Sequence, residues 1–235
     1  TNRPFWSAVR YIIAALSLVA LPWAGEAAPA RVVSVNVCTD QLAMLVAAPG
    51  QLIAVSILAH EAHSSAMVAE AGGYAETNGQ AEAVFQLRPD LVLAGAYSTP
   101  QTVRLLQRLG VRVERFASAT SIADIAANLR RMGALLGQEA QAEAQAVAVE
   151  RRLAALQADG AKAGHVRAAF LDANSYTAGN GTLVHAMIEA AGLRNIAAER
   201  GLTQTARLPL EVLVLSAPDL LLLPERYGRP SMAEA

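Results

Sequence analysis

One pattern occurs twice in this chain, and it limits what the chain can fold into. From Glu82 the sequence reads Glu-Ala-Val-Phe-Gln-Leu-Arg-Pro-Asp-Leu-Val-Leu-Ala, and from Glu211 it reads Glu-Val-Leu-Val-Leu-Ser-Ala-Pro-Asp-Leu-Leu-Leu-Leu. In both copies a Pro stands seven residues after the Glu, followed by Asp-Leu-x-Leu. A carboxylate favours the positive end of a helix dipole, so a short helix is expected to begin near each Glu. The Pro ends that helix. The short apolar run after the Asp reads as a buried parallel strand. Two copies at one internal spacing predict two lobes of the same design.

The rest of the chain fits that expectation. Residues 31–37, rich in Val, predict a first strand, and Thr39 or Asp40 is placed to cap a helix through Leu42, Leu45 and Val46. Pro49-Gly50 ends it, Leu52–Leu58 predicts a second strand, and the first repeat supplies a third at Leu91–Ala94. A helix through Val103, Leu106 and Leu109 leads, past Gly110, to a fourth strand at Val111–Phe116. This β-α-β-α order argues for an α/β lobe with a parallel sheet.

Ser121-Ile122-Ala123-Asp124 resembles a capping box, and Ile122, Ile125, Leu129, Met132 and Leu136 then recur at helical spacing. After Gly137 a second helix is expected over residues 138–157, about 30 Å long at 1.5 Å per residue. Gly160 to Gly164 closes it. The pattern then restarts with a strand at Val166–Leu171, a polar loop at Asn174–Gly181, a helix through Leu183, Met187 and Ile188, and the second repeat. The expected organisation is an N-terminal α/β lobe (31–120), a helical linker (121–160) and a C-terminal α/β lobe (165–235). The second lobe follows its Pro-Asp strand with Pro224 and eleven residues, so it is expected to lack a helix and a strand that the first lobe has.

Residues 1–28 read as a secretory signal peptide. Arg3 and Arg10 precede an apolar run from Tyr11 to Leu21, too short to span a bilayer, and Gly25-Glu26-Ala27 supplies small residues at a cleavage site. The single cysteine, Cys38, lies well past that run, so neither an internal disulfide nor a lipid anchor is expected. Charged residues make up 17% of the chain and the net charge is −1, with no basic block, which argues against nucleic-acid binding. The expectation is a soluble, monomeric protein of the bacterial periplasm.

Arg-Val-Val-Ser-Val-Asn after a signal peptide, Leu-Arg-Pro-Asp-Leu-Val-Leu-Ala-Gly, Leu-Gly-Val-Arg-Val, the inter-lobe helix and the second Pro-Asp-Leu strand together carry a resemblance. From Arg31 to about Pro224 the chain resembles the periplasmic substrate-binding proteins of ABC importers that have a helical backbone, a group that binds vitamin B12, iron–siderophore complexes or haem. The resemblance implies two Rossmann-like lobes with parallel sheets joined by a single long helix, and a ligand cleft between them. It implies a metal chelate as ligand, an ABC permease in the inner membrane as partner, and no cofactor or catalysis. It also implies an acidic residue on each lobe that docks the permease. The stretch Tyr97-Ser98-Thr99-Pro100-Gln101, where such an acid is expected in the first lobe, has none; Glu225 is the candidate in the second.

The ligand candidates lie in strand-end loops: Asn36, Thr39, Asp40, His60, Tyr97 and Ser98 from the first lobe, and Asn174, Tyr176 and Tyr227 from the second, with Cys38, Glu61, Ser175 and Thr177 beside them. Asn, Ser and Thr also make turns and caps. A turn requires neither Tyr97 nor Tyr176, whose rings stack while their hydroxyls hydrogen-bond. His60-Glu61-Ala62-His63 is a metal-like cluster, which keeps open a free zinc or manganese binding protein of the same architecture, although it lacks the spacing of His-Glu-x-x-His and a solvated loop is the more common explanation. Cys38 with Asp40 keeps open an exported α/β enzyme. No Gly-x-Gly-x-x-Gly follows the first strand and no Gly-x-x-x-x-Gly-Lys occurs, which excludes those two phosphate-binding loops.

Overall fold

The computed structural model describes residues 27–161 and 165–224. The signal peptide, apart from its last two residues, together with Glu225 and Tyr227, lies outside them.

The first lobe opens with β1 (Val32–Ser34), α1 (Val37–Val46) and β2 (Leu52–Ser56), then a 3-10 turn at Ile57–His60. It continues through α2 (Val68–Ala71), β3 (Ala75–Thr77), α3 (Ala81–Gln86), β4 (Leu91–Ala94), α4 (Pro100–Arg108) and β5 (Arg112–Arg115). The five strands are parallel in the order β3-β2-β1-β4-β5. β3 was not among the expected strands, so the Val111–Phe116 run is the fifth rather than the fourth. Its sequence, Ala-Glu-Thr, carries too little apolar pattern to mark an edge strand.

The continuous apolar runs follow from burial on both faces. Val32, Leu91 and Leu93 face one core together with Ala43, Leu129 and Met132. Val33 and Val92 face the other, with Val84 and Leu106. Successive residues of a strand point to opposite sides, so each strand feeds both cores.

α5 (Ile122–Leu136) and α6 (Glu139–Gly160) follow as a helical hairpin. The Ser121 capping box forms as expected, and Gly137 turns the chain with φ 66°. A Cβ on Gly133 would stand 2.3 Å from that of Ala142, so the absence of a side chain lets the two helices meet. At the far end of α6, a Cβ on Gly192 would lie 1.9 Å from the Gly160 carbonyl oxygen. Two glycines therefore seat the second lobe on the end of the long helix.

The second lobe comprises β6 (Arg167–Phe170), a 3-10 turn at Ala173–Ser175, β7 (Tyr176–Ala178), α7 (Leu183–Ala190), β8 (Arg194–Asn195), α8 (Ile196–Glu199), β9 (Thr205–Arg207), α9 (Leu210–Ser216) and β10 (Leu220–Leu222). A parallel sheet of order β10-β6-β8 forms, and β7 pairs antiparallel with β9. The expected polar loop at 174–181 thus includes a strand. In the first lobe β5 flanks β4; among the described residues no strand flanks β10 on its outer side. The outer surface of α9 is apolar and open, with Val214 74% and Leu215 80% exposed.

The repeated motif builds the same latch in each lobe. Both helices end in a left-handed residue before the Pro, Arg88 at φ 48° and Ala217 at φ 47°. The Asp90 carboxylate accepts the backbone N–H groups of Ala30 and Arg31 at 3.0 and 2.9 Å. Asp219 accepts that of Arg167 at 2.8 Å. Each arginine then donates back to the end of the helix: Arg31 to Leu87 O at 2.7 Å and Arg167 to Ser216 O at 2.6 Å. The Asp after the Pro ties the start of the first strand to its parallel neighbour, and the Arg caps open helix carbonyls.

Candidate functional site at the strand ends

Parallel strands bring their carboxyl ends to one edge, and open α/β sheets bind ligands where the strand order reverses. In the first lobe that point lies between β1 and β4. Gly95 follows β4 there, and a Cβ on it would stand 2.4 Å from Asn36 Cγ, so the Asn36 side chain rests on the glycine backbone. Asn36, rather than Thr39 or Asp40, caps α1, its Oδ1 accepting the Cys38 N–H at 3.1 Å.

Tyr97 sits at the tip of the turn after Gly95. Gly95 N–H donates to Ser98 Oγ at 3.0 Å, Ser98 N–H donates to Gly95 O at 3.3 Å, and Arg115 donates to Ala96 O at 3.0 Å. The backbone is held at three points while the Tyr97 side chain is 89% exposed. Ser98 serves the turn. Ile57 and Leu58, exposed at the end of β2, add apolar surface at the same edge of the sheet. The sequence reading had enclosed both in a strand.

Thr39 and Asp40 do not reach this surface, which corrects their assignment as ligand contacts. Both are fully buried. Thr39 Oγ1 lies 2.8 Å from Ser34 Oγ, and Asp40 accepts from Ser56 Oγ at 2.5 Å and from Ser56 N–H at 3.2 Å. α1 starts three or four residues earlier than expected, which turns both side chains onto the sheet. Burial pushes the Asp40 carboxyl above its ordinary value, against hydrogen bonds from Ser34 and Ser56 and the nearby His60. Cys38 is exposed, yet partial burial and then the Asp40 charge push its thiol up, away from the nucleophilic thiolate.

The His-Glu-x-His cluster is divided. His60 Nδ1 lies 3.8 Å from Glu76, and its Nε2 is buried without a hydrogen-bond partner. His63 Nε2 meets Glu61 at 3.1 Å. Among the described residues no three His, Cys, Asp or Glu side chains are grouped to hold a metal ion.

In the second lobe the chain leaves β6 through Asn174 and Ser175, both left-handed at φ 58° and 60°. Asn174 occupies a conformation that Asn tolerates better than most residues, so the turn accounts for its identity. Ser175 O accepts the Leu208 N–H at 2.8 Å, tying the loop to the end of β9. Thr177 is buried and donates to Phe170 O at 2.6 Å. Strand alternation then turns Tyr176 outward, 43% exposed. Arg207, directly opposite Tyr176, and Asp172, bridged to it, are exposed beside the ring. Sequence reasoning missed both; the signal was the short alternation Thr205-Ala206-Arg207 before the second repeat.

The architecture is that of a two-lobed solute-binding protein. The family model for periplasmic binding proteins matches residues 32–234, and the chain belongs to that family. A cobalamin-binding protein of Halobacterium salinarum is 36% identical over 164 residues, which cover 67% of this chain and 43% of the relative's length. The vitamin B12 binding protein BtuF of Vibrio cholerae superposes with a TM-score of 0.68 at 19% identity, covering 84% of this chain and 77% of that one. The haem-binding protein RhuT from Roseiflexus sp. RS-1 gives 0.69 at 25% identity, covering 82% and 75%. These relatives are binding proteins rather than enzymes. Among the described residues no helix is long and apolar enough to cross a membrane.

Proposed function

We propose that this protein is exported to the periplasm, captures a metal chelate (a corrinoid, an iron–siderophore complex or haem) between its two lobes, and delivers it to an ABC permease. The observation that carries the reading is Tyr97: an aromatic ring 89% exposed on a turn whose backbone is pinned at the switch point of a parallel sheet. An exposed ring costs solubility and contributes nothing to the core, so its use is to stack on something larger than water. Tyr176 is exposed on β7, a few residues past the end of β6, the first strand of the second lobe. Names of the similar proteins, cobalamin- and haem-binding, support the class of ligand.

For docking we propose, beside Glu225, the two residues Glu82 and Glu211. Each lies in the first turn of its helix, α3 or α9, at equivalent points of the repeated motif. Both are exposed, and neither side chain makes an ion pair or hydrogen bond among the described residues. A pair of free carboxylates, one per lobe, suits basic residues on a permease.

Intrinsic fluorescence titration of the full chain with cyanocobalamin, haem, ferric hydroxamates, ferric catecholates, zinc and manganese tests the ligand class. Submicromolar affinity for one chelate, weakened at least tenfold in Tyr97→Ala, is expected, tenfold being about 1.4 kcal/mol of lost stacking. Binding of bare zinc or manganese with no chelate bound overturns it.

A further inference from the structure

We propose that Arg207 makes the second lobe selective for a chelate that carries an anionic oxygen group, carboxylate or phosphate, held beside the Tyr176 ring. This deepens the chelate-binding reading and rests on it. Tyr176 is the middle of a row of three. An isolated antiparallel bridge pairs it with Asp172, and the β7–β9 ladder pairs it with Arg207. Residues directly opposed across antiparallel strands project from one face, their Cβ atoms about 4.5–5.5 Å apart. All three are exposed. Carboxylate, phenol and guanidinium therefore stand side by side on one face.

The row is fixed from beneath. Thr177 and Ala206 take the opposite face, and the Thr177 hydroxyl is anchored to Phe170 O. The Ser175–Leu208 hydrogen bond closes the end of the ladder next to Arg207. Two other arginines of this lobe are committed: Arg167 and Arg194 both bind Glu199, at 2.8 and 2.7 Å. Arg207 makes no side-chain hydrogen bond or ion pair among the described residues. Asp172 stands two strand spacings away, about 10 Å, where solvent and salt screen the pair. The guanidinium fork is thus free, and it matches a carboxylate or phosphate through two parallel hydrogen bonds. The adjacent Tyr176 ring covers the apolar body of the same ligand.

The test uses the full chain and five probes: haem, with two carboxylates; a ferric tris-catecholate, anionic without either group; cyanocobalamin, with one phosphodiester; dicyanocobinamide, which lacks it; and a neutral ferric trihydroxamate. In Arg207→Gln, affinity for the carboxylate- or phosphate-bearing chelate is expected to fall about ten- to a hundredfold, the weight of a charge-assisted hydrogen-bond pair. Affinity for a neutral chelate stays within twofold, and added salt weakens the wild type more than the variant. Haem against cyanocobalamin, the latter compared with dicyanocobinamide, tells carboxylate from phosphate. An unchanged melting temperature establishes that the variant is folded. Equal loss for neutral and anionic probes, or no loss for either, overturns the assignment. Wild-type binding of the neutral trihydroxamate alone overturns it and leaves the chelate reading standing. Silence toward all five overturns both.

Discussion

Individual side chains divide here into those the backbone needs and those it does not. Asn36, Ser98 and Asn174 are consumed by a cap and two turns. Tyr97 and Tyr176 have no such employment and remain for a ligand. Asp40 belongs to the first group, and its cost is measurable. Its folded value lies above the ordinary 3.8 because burial penalises the carboxylate. Between the unfolded and folded values the native state holds more protons than the unfolded one, so stability falls as pH rises through that window. Urea midpoints recorded from pH 3 to 8 are expected to decline across it, and Asp40→Asn is expected to flatten the decline. A variant with an unaltered slope would show that the Ser34, Ser56 and His60 contacts already cancel the burial penalty.

At the scale of elements, the repeated motif is a latch. Asp90 and Asp219 close the same joint between the first strand of a lobe and its parallel neighbour, and Arg31 and Arg167 cap the preceding helix from the same side. The two latches do not carry equal weight. β4 is a buried central strand with β5 beyond it, whereas β10 borders its sheet among the described residues and its leucines are partly exposed. Asp219→Ala is expected to lower stability by about 1 kcal/mol, one net hydrogen bond. Hydrogen exchange should speed up in β10 and α9 while β4 and α3 keep their protection. Equal acceleration in both lobes would mean that they unfold as one unit.

For the molecule as a whole, two carboxylates on separate lobes act together if docking proceeds as proposed. Glu82→Arg and Glu211→Arg are each expected to reduce uptake through the cognate importer at least tenfold by placing like charges in contact, a loss larger than any change in chelate affinity titrated on the same variants. Unimpaired uptake by the double variant would remove the docking assignment. α6, joined to the second lobe through the Gly160–Gly192 contact, holds the lobes at a distance set by one stiff element, which favours a small closure on ligand.

Much of this was legible in the chain before any coordinates. The Glu-to-Pro-Asp spacing, the β-branched runs and the Gly137 break are local signals, and local signals specify helices, strands and their order. The helical hairpin appeared within a few residues of its expected bounds. β3, β7 and β9, of three residues each, were missed because strands that short carry no full period of alternation. The site was less legible, because what a residue meets depends on which way it turns. A difference of three or four residues in the start of α1 buried Thr39 and Asp40, and only strand register placed Arg207 beside Tyr176. Sequence by itself determined the lobes, the repeated helix-Pro-Asp-strand pattern and the two tyrosines, through propensity and periodicity. Tertiary structure alone decided which polar groups are spent on the fold and which are left for a ligand, because that depends on contacts between residues far apart in the chain.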